Sequence, residues 1–311
     1  MNTNNPKKIL SALLALTVLP FSAKAATIYS TGNDTLNYCV NNTSSSYKTI
    51  ADNISIKTGD TVSVITSRYS EWTGKVTGKG TLNILSGGER TYIGTPKKKG
   101  SDYPDWTGHT GDVHIYPYKE VVSSCGFYGL VLHSGTFQPD NISGSNYNKL
   151  FEKNRVVVHN GATIAIESGT RGIRIGELET EAGSTLTGYY KKSSAISYYI
   201  VGGKNSNSKM AGRIYNSASG NKVGIIKEGT GTYVISGTNN DINGGVRLTK
   251  GTLLIENDIE KTKAEKGGGA TGKYGSVIVY EDAILGGNGS VASATEVYGI
   301  PIFPTTLTSA K

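Results

Sequence analysis

The densest set of side chains able to do chemistry lies in residues 101–114, which read SDYPDWTGHTGDVH. The stretch combines aspartates, histidines and two aromatic residues: Asp102, Asp105, Asp112, His109, His114, Tyr103 and Trp106. Converging carboxylates would suit glycosidic-bond cleavage or Ca²⁺-assisted lyase chemistry, and the aromatic rings could stack on a sugar. The same residue types also suit a polar loop between structural elements, because Asp, Gly and Pro favour turns. We favour the loop and keep the sugar site as the alternative.

Two glycine-rich segments resemble ligand-binding motifs, but each lacks a required ligand. Residues 267–273 read GGGATGK, and Tyr274 stands where a phosphate-binding loop has the Ser or Thr that ligates Mg²⁺. Residues 286–291 read GGNGSV, and Val291 stands where a Ca²⁺-binding nonapeptide has aspartate. The four histidines show no metal-ligand spacing along the chain: His109, His114, His133 and His159. The sequence therefore predicts no catalytic residue, no metal ligand and no cofactor site.

Tyrosine, with 19 residues, is the best candidate for contact with another molecule. Several tyrosines lie close together in or beside short alternating runs: Tyr116 and Tyr118, Tyr189 and Tyr190, Tyr198 and Tyr199. Adjacent residues on a strand face opposite ways, so one of each adjacent pair is expected to point outward. Exposed tyrosines would suit contacts with host or matrix glycans and proteins. The alternative, which we favour, is that aromatic residues simply suit strands.

The first 25 residues have the features of a secretory signal peptide. A lysine pair precedes an apolar stretch over residues 9–21, which is shorter than a membrane-spanning helix. Residues 23–25 read AKA, the small-x-small pattern that signal peptidase accepts, so cleavage is expected between Ala25 and Ala26. We therefore expect an exported chain at the cell surface or outside the cell, or in the periplasm if translocation is incomplete.

Net charge and cysteine content say little about partners. The net charge is +8, and it falls to +5 without the three lysines of residues 1–25. Such a modest excess does not favour nucleic-acid binding, so no nucleic-acid partner is predicted. No later segment has 18 uninterrupted apolar residues, so no transmembrane segment is predicted in the mature chain. An oxidising compartment would permit a disulfide between Cys39 and Cys125, although nothing in the sequence brings them together.

A unit of glycine, one or two residues and then two apolar residues at alternate positions recurs along the chain. Neighbouring glycines of this unit lie about 20 residues apart in three pairs: Gly59 and Gly80, Gly161 and Gly183, Gly231 and Gly251. The alternating runs are short, which is typical of half-buried strands. Asn, Gly, Ser and Asp separate the runs, and these residues favour tight turns. The pattern predicts many short strands and almost no helix.

The regular interval favours a β-solenoid over a sandwich or barrel. A sandwich or barrel also has many short strands, but its sequence need not repeat. A β-solenoid repeats once per coil, because each strand stacks in parallel on its equivalent in the next coil. The chain after the signal peptide would give roughly a dozen coils and a rod about 60 Å long.

Residues 227–257 resemble the passenger-associated repeat of autotransporter-type proteins, which reads roughly K-x-G-x-G-T-L-x-L-S-G-x-N-x-Y-x-G-G-T-x-[VL]-x-x-G-T-L. The matching positions are, in order, Lys227, Gly229, Gly231, Thr232, Ile235, Ser236, Gly237, Asn239, Gly244, Gly245, Val246, Leu248, Gly251, Thr252 and Leu253. Tyr233 replaces the usual leucine and Ile242 the usual aromatic residue. Residues 283–291 resemble the coil that commonly follows, so the strong resemblance covers about residues 223–299.

The resemblance implies a right-handed, single-stranded parallel β-helix exported to the surface of a Gram-negative bacterium. We expect an all-β chain whose segments are listed in order: 1–25 signal peptide, 26–48 irregular N-terminal cap, 49–299 parallel β-helix with insertions near 89–112 and 258–274, and 300–311 irregular tail or truncated coil. The C-terminal translocator barrel of that family is not recognisable in this sequence.

The expected function is a structural or adhesive role at the cell surface, without catalysis. A carbohydrate-active β-helix enzyme, a polysaccharide lyase or glycosidase, is the first alternative, and the missing cluster of converging carboxylates argues against it. A truncated, non-functional remnant is the second alternative, because the repeat is interrupted after residue 299. The ligand, the secretion route and the oligomeric state stay open.

Overall fold

A computed structural model of the chain describes most of the residues after Ala25. The described residues are 26–38, 48–66, 70–87, 91–93, 106–118, 129–132, 137–139, 146–166, 172–188, 196–215, 222–238, 240–256, 276–289, 295–298 and 300–301. The expected signal peptide and the insertion at 258–274 lie outside them, as do Cys39 and Cys125. The described residues contain no helix, and hence none long and apolar enough to cross a membrane.

The described chain is all-β, with short strands arranged in three sheets. The smallest sheet contains β1 (Thr27–Tyr29), β4 (Asn53–Ile56) and β7 (Val76–Gly78). The second contains β3 (Lys48–Ile50), β6 (Ser70–Trp72), β9 (Thr91–Ile93), β11 (Gly129–Leu132), β14 (Thr163–Ile166), β16 (Thr185–Gly188) and β19 (Arg213–Tyr215).

The largest sheet contains the remaining strands of the described residues. Its first half is β2 (Asn33–Asn37), β5 (Thr61–Thr66), β8 (Thr81–Gly87), β10 (Val113–Tyr118), β12 (Phe137–Pro139), β13 (Asn146–Val158), β15 (Gly172–Thr180), β17 (Ile196–Val201) and β18 (Ser208–Met210). Its second half is β20 (Lys222–Lys227), β21 (Thr232–Ile235), β22 (Val246–Leu248), β23 (Gly251–Ile255), β24 (Val277–Val279), β25 (Ala283–Gly286), β26 (Thr295–Val297) and β27 (Ile300–Pro301).

Successive passes of the chain stack in parallel, which makes the fold solenoid-like. One pass runs through β4, β5 and β6, and the next through β7, β8 and β9, each strand pairing with its equivalent. Among the described strand pairs, β12 with β13 is antiparallel and the others are parallel. The expectation of an all-β fold built from stacked parallel strands is confirmed.

The glycine interval of the sequence corresponds to one pass. Strands β5 and β8 are equivalent in successive passes, and Thr61 pairs with Thr81. In the same way Thr163 pairs with Thr185 and Thr232 with Thr252. Other passes are much longer, because Val113 pairs with Val156. The interval therefore marks short coils, and the longer ones have more residues between their paired strands.

The core is a column of inward-facing side chains that runs along the stack. Each residue in it pairs with the next one along the stack: Leu36, Val64, Ile84, Ile115, Val158, Thr180, Met210, Ile235 and Ile255. Paired strands lie about 4.8 Å apart, so each side chain packs on its neighbours above and below. Thr180 is the polar member, and its Oγ1 accepts a hydrogen bond from the amide of Gly212 at 2.9 Å. The column keeps its apolar character because this hydroxyl is satisfied.

Two segments differ from the sequence expectation, because both contribute to the stack. Residues 26–48 were expected to be irregular, yet β1 and β2 pair in parallel with β4 and β5. Residues 89–112 were expected to be an insertion, yet β9 pairs with β6 and Trp106 is buried. The ring of Trp106 lies 4.8 Å from that of Trp72, and its Nε1 donates to the carbonyl of Gly74 at 3.0 Å. The polar composition of these two segments gave no indication that they contribute buried residues to the stack.

The motif residues of 227–257 occupy corners and core positions. Lys227 faces inward with no exposed surface, and its Nζ donates to the carbonyls of Glu228 at 2.7 Å and Gly229 at 2.8 Å. Burial lowers the pKa of this ammonium to about 8. Tyr233 and Ile242, which replace the usual motif residues, are both buried in the core. The departures from the motif are therefore substitutions inside the packed core.

Two buried tyrosines offer a matched test of this core. The hydroxyl of Tyr199 lies 2.8 Å from the carbonyl of Ile164 and 3.0 Å from that of Thr187, either of which can accept its one proton, and it accepts from the Thr187 amide at 3.2 Å. Among the described residues, the buried hydroxyl of Tyr233 has no hydrogen-bond partner. We expect Tyr233→Phe to raise the free energy of unfolding by about 1 kcal/mol, because an unsatisfied buried hydroxyl is removed. Tyr199→Phe should lower it by about 1–3 kcal/mol, since a buried carbonyl loses its phenol donor and the Thr187 amide loses an acceptor. Denaturant unfolding of both variants measures the difference, and equal signs would contradict the assignment.

Candidate functional site: a histidine relay on the outer face

Three neighbouring strands of the largest sheet bring titratable side chains together on the outer face. Strands β10, β13 and β15 are paired in parallel, with Val113 opposite Val156 and Val156 opposite Leu178. These valines and Leu178 are buried, so the alternate positions of each strand face outward. The outward residues are, in strand order, Asp112, His114 and Tyr116; Arg155, Val157 and His159; and Glu177, Glu179 and Glu181.

Glu181, His159 and His114 form a chain of hydrogen bonds across the three coils, here called the histidine relay. The carboxylate Oε1 of Glu181 lies 2.8 Å from Nδ1 of His159. Nε2 of His159 lies 2.9 Å from Nδ1 of His114. The two imidazole planes are 17° apart with their centroids at 5.2 Å, so the nitrogens face each other along the ring planes. The relay therefore links residues that are 45 and 22 positions apart in sequence.

The hydrogen bonds define one protonation pattern when both imidazoles are neutral. A carboxylate only accepts, so His159 carries its proton on Nδ1 and leaves Nε2 as an acceptor. Nδ1 of His114 then donates to His159, and Nε2 of His114 keeps its lone pair. Burial, and then the neighbouring His159, lower the pKa of His114, which favours its neutral form. Among the described residues, none hydrogen-bonds Nε2 of His114, and this atom is not sealed from solvent.

Neighbouring groups hold the relay in place. The ring of Tyr116 stacks on that of His159, with centroids 3.9 Å apart and planes 5° apart. The amide of Asn160 donates to Oε2 of Glu181 at 2.9 Å. This amide and the His159 ring hold the pKa of Glu181 below its ordinary value, which keeps the carboxylate charged. The relay thus has an anionic end at Glu181 and an accessible imidazole nitrogen at the other.

A second cluster beside the relay consists of one arginine and three carboxylates. Arg155 contacts Asp112 through Nη1 at 3.2 Å and Glu177 through Nε at 3.2 Å, and its Nη2 also pairs with Glu179. Glu177 in addition accepts a hydrogen bond from the hydroxyl of Ser206 at 2.6 Å. One guanidinium against three carboxylates leaves this part of the face acidic. The cluster joins β10, β13 and β15 by ion pairs.

The stretch 101–114 does not form the sugar site considered from the sequence. Trp106 is buried in the core, so its ring is not available to stack on a ligand. His109 is also buried: its Nε2 lies 3.0 Å from the carbonyl of Gly80, and its Nδ1 lies 3.0 Å from Nδ2 of Asn154. Asp112 is paired with Arg155, and His114 belongs to the relay. Asp102, Tyr103 and Asp105 lie outside the described residues.

The tyrosine pairs give a mixed result. Tyr198 and Tyr199 are both buried, because the outward Tyr198 packs with Ile200 and lies 5.4 Å below the Arg247 guanidinium. The expectation of one exposed member is therefore wrong for this pair. Tyr189, Tyr190 and the side chain of Tyr118 lie outside what the structure describes. Among the tyrosines that the structure describes, the exposed ones are Tyr29, Tyr280 and Tyr298, with 66%, 41% and 66% of their surface accessible.

Comparison with known proteins adds no family to these observations. No protein-family model and no curated protein sequence matches the chain. Within the part of the chain that is described, no group of three or more His, Cys, Asp or Glu side chains could hold a metal ion.

The relay was not predicted from the sequence. His114 and His159 were treated as separate residues, because nothing in a single sequence pairs positions 45 apart. The signal that could have found them is the alternation after two aligned apolar runs, Val113/Ile115 and Val156/Val158. Aligning these runs as adjacent coils places Tyr116 opposite His159, with His114 on the same face.

Acidification is expected to destabilise the fold through His109. Burial lowers the pKa of His109 below its ordinary value of 6.5. The stability that the fold gains from neutral His109 is therefore fully present above pH 6.5, and it is lost as pH falls through the folded-state pKa. One such group changes the free energy of unfolding by up to about 1.4 kcal/mol per pH unit. Urea unfolding of the wild type and of His109→Gln at several pH values between about 7.5 and 5 measures this.

The wild type should lose more stability over this range than His109→Gln, even though the variant is weaker at neutral pH. The pKa of His114 is shifted in the same direction, so His114→Gln should also lose less stability than the wild type over this pH range. Identical pH dependence in the wild type and His109→Gln would contradict the role assigned to His109.

Proposed function

We propose that this chain is an exported, autotransporter-like passenger with a structural or adhesive role, built as a right-handed parallel β-helix that follows a cleaved signal peptide. The observation that carries the proposal is the fit between the passenger-associated repeat and the stacked coils of residues 227–256. Gly229 has a φ of +70°, and a Cβ there would lie 2.0 Å from the carbonyl oxygen of Gly202. Gly237 is as tightly placed, since a Cβ would lie 1.9 Å from the carbonyl oxygen of Gly212.

These glycines support the proposal because they match the repeat at positions where one coil approaches the next. A side chain at either position would push the coils apart, so the motif glycines and the coil spacing depend on each other. Lys227, the first residue of the motif, closes the same corner by donating to backbone carbonyls. The residues that carry the resemblance therefore have a defined structural role in the stack, in addition to matching the repeat in sequence.

A contact of the Ala26 backbone suits cleavage between Ala25 and Ala26. The backbone nitrogen of Ala26 lies 3.2 Å from Oδ1 of Asp52, whose Oδ2 accepts a hydrogen bond from Tyr38 at 2.9 Å. Cleavage would turn this amide into an ammonium group and make the contact with Asp52 charge-assisted. A new N-terminus would then be fixed to the second coil.

Two exposed tyrosines on adjacent coils are the best-placed adhesive residues. Val279 pairs with Val297, so Tyr280 and Tyr298 directly follow paired positions and the amide of Tyr298 donates to Val279. Neither ring is buried, and an exposed phenol combines an apolar face with a hydroxyl that can bind sugars or protein backbone. A partner could contact both rings at once, because adjacent coils are about 4.8 Å apart.

A lyase or glycosidase is less well supported than an adhesive role. Such enzymes place two carboxyl groups on opposite sides of a sugar, or use carboxylates to hold Ca²⁺. The carboxylates of Asp112, Glu177 and Glu179 instead share one guanidinium, that of Arg155.

Processing tests the export half of the proposal. Expression of the full chain in a Gram-negative host should give a mature protein that starts at Ala26 and is found outside the cytoplasm. N-terminal sequencing and cell fractionation measure this. Ala25→Leu should block cleavage, because signal peptidase requires a small residue there, whereas Ala26→Ser should be processed normally. An unprocessed wild-type chain in the cytoplasm would contradict the proposal, and a crystal structure with left-handed coils would contradict the predicted handedness.

Glycan binding tests the adhesive half. The double variant Tyr280→Ser/Tyr298→Ser should lose at least about tenfold of the wild-type signal on an array of neutral and acidic glycans, because a stacked ring contributes about 1 kcal/mol. Tyr29→Ser is the matched control, since Tyr29 is as exposed as Tyr298 but lies in the first coil. Equal loss in the control, or no glycan bound by the wild type, would contradict these tyrosines as the adhesive site.

A further inference from the structure

The histidine relay has the connectivity of a catalytic triad. In a triad, a carboxylate orients a histidine and that histidine takes a proton from the attacking group. Here Glu181 accepts from Nδ1 of His159 at 2.8 Å, and Nε2 of His159 accepts from His114 at 2.9 Å. His114 stands where the attacking residue of a triad would be, and its second nitrogen, Nε2, carries the lone pair.

The structure places the relay where a ligand can reach it. All three side chains project from the outer face of the sheet, and Glu181 is half exposed. The stack of Tyr116 on His159 restricts the middle imidazole, so the relay is held without help from a ligand. Positioning by stacking and by the Asn160 amide keeps the proton path in line before any substrate binds.

The surrounding charges select the class of substrate. Asp112, Glu179 and Glu181 surround the relay with carboxylates, and Arg155 is the cation that faces them. Like charges repel, so phosphate esters and uronic acids are disfavoured as partners for His114. A neutral electrophile does not meet this barrier. Carboxylic esters are neutral and react with imidazole at the carbonyl carbon.

We propose that the histidine relay is an acyl-transfer site, in which Nε2 of His114 is the nucleophile toward neutral carboxylic esters such as acetyl esters. His159 is the proton acceptor and Glu181 is the positioning residue. This activity goes beyond the structural and adhesive role and does not depend on it.

The reaction balances with groups already in place and water. Nε2 of His114 adds to the ester carbonyl carbon, and the bond to the alcohol oxygen breaks to give an acylimidazole. The Nδ1 proton of His114 passes to Nε2 of His159, whose positive charge lies beside the Glu181 carboxylate. The departing alkoxide receives that proton through solvent and leaves as the alcohol. Water then attacks the acyl carbon, and the bond between that carbon and Nε2 of His114 breaks. The hydroxyl of the water becomes part of the carboxylic acid, and its remaining proton returns to Nδ1 of His114.

Hydrolysis of p-nitrophenyl acetate by the purified chain tests the proposal. We expect turnover beyond one equivalent, with His114→Gln lowering the protein-dependent rate at least about tenfold. His159→Gln and Glu181→Gln should lower it about three- to tenfold, because proton transfer along the relay is lost. Glu181→Gln should lower kcat and leave KM unchanged, because Glu181 orients His159 and does not contact the ester. Glu281→Gln is the matched control and should stay within about twofold, because it removes an exposed carboxylate in the turn between β24 and β25, outside the three strands of the relay.

Three outcomes would overturn the proposal. The first is a wild-type rate no higher than that of free imidazole at equal concentration. The second is a His114→Gln rate equal to the wild type, and the third is Glu181→Gln equal to Glu281→Gln in both kcat and KM. Circular dichroism of each variant checks the fold, and Glu181→Gln keeps the test valid if His159→Gln unfolds, because Glu181 is half exposed. Failure here would leave export and glycan binding unaffected, since those assays use different residues.

Discussion

The packing of each inward side chain on its equivalent in the next coil is the interaction on which the rest of the structure depends. The column from Leu36 to Ile255 crosses nine coils, and nearly all of its members are aliphatic or Met. Burial of one such side chain contributes about 1.5–3 kcal/mol, and this repeats along the stack. Because a one-residue slip would turn the column outward, the core also fixes the register of every outer residue. Outer-face chemistry is therefore a consequence of core packing.

The histidine relay illustrates this dependence. Val113, Ile115, Val156 and Val158 are buried beneath it, and their pairing sets Tyr116 opposite His159. The stacked Tyr116 and His159 rings and the in-line His114 contact follow from that register. The Arg155 ion pairs join the same three coils from the outside. The coils that contain β10, β13 and β15 are thus joined both by core packing and by contacts on the outer face.

The sequence predicted the elements of this fold better than their outer contacts. Alternation and the glycine interval give the short strands and the coils of 20 to 22 residues, because both are local properties of the chain. Because of their polar composition, 26–48 was expected to be irregular and 89–112 to be an insertion. In the second segment, however, Trp106 and His109 are core residues. Tyr198 is outward on its strand yet buried by Ile200 of the same strand, by Ile226 of the paired strand β20 and by Arg247 of β22. Contacts between coils depend on the number of residues between paired positions in successive coils, and a single sequence does not give these numbers.

The unequal length of the coils has a consequence for how such a chain can change. Parallel strand pairing places Thr61 opposite Thr81 after a short coil, and Val113 opposite Val156 after a much longer one. The pairing is parallel in both cases. Closing a longer corner costs only about 0.6 kcal/mol for each doubling of its length. Segments can therefore be gained or lost at a corner with the neighbouring coils still in register. The scaffold is in this sense modular: its corners can diversify in length and composition, whereas the geometry of its column is fixed by its own packing.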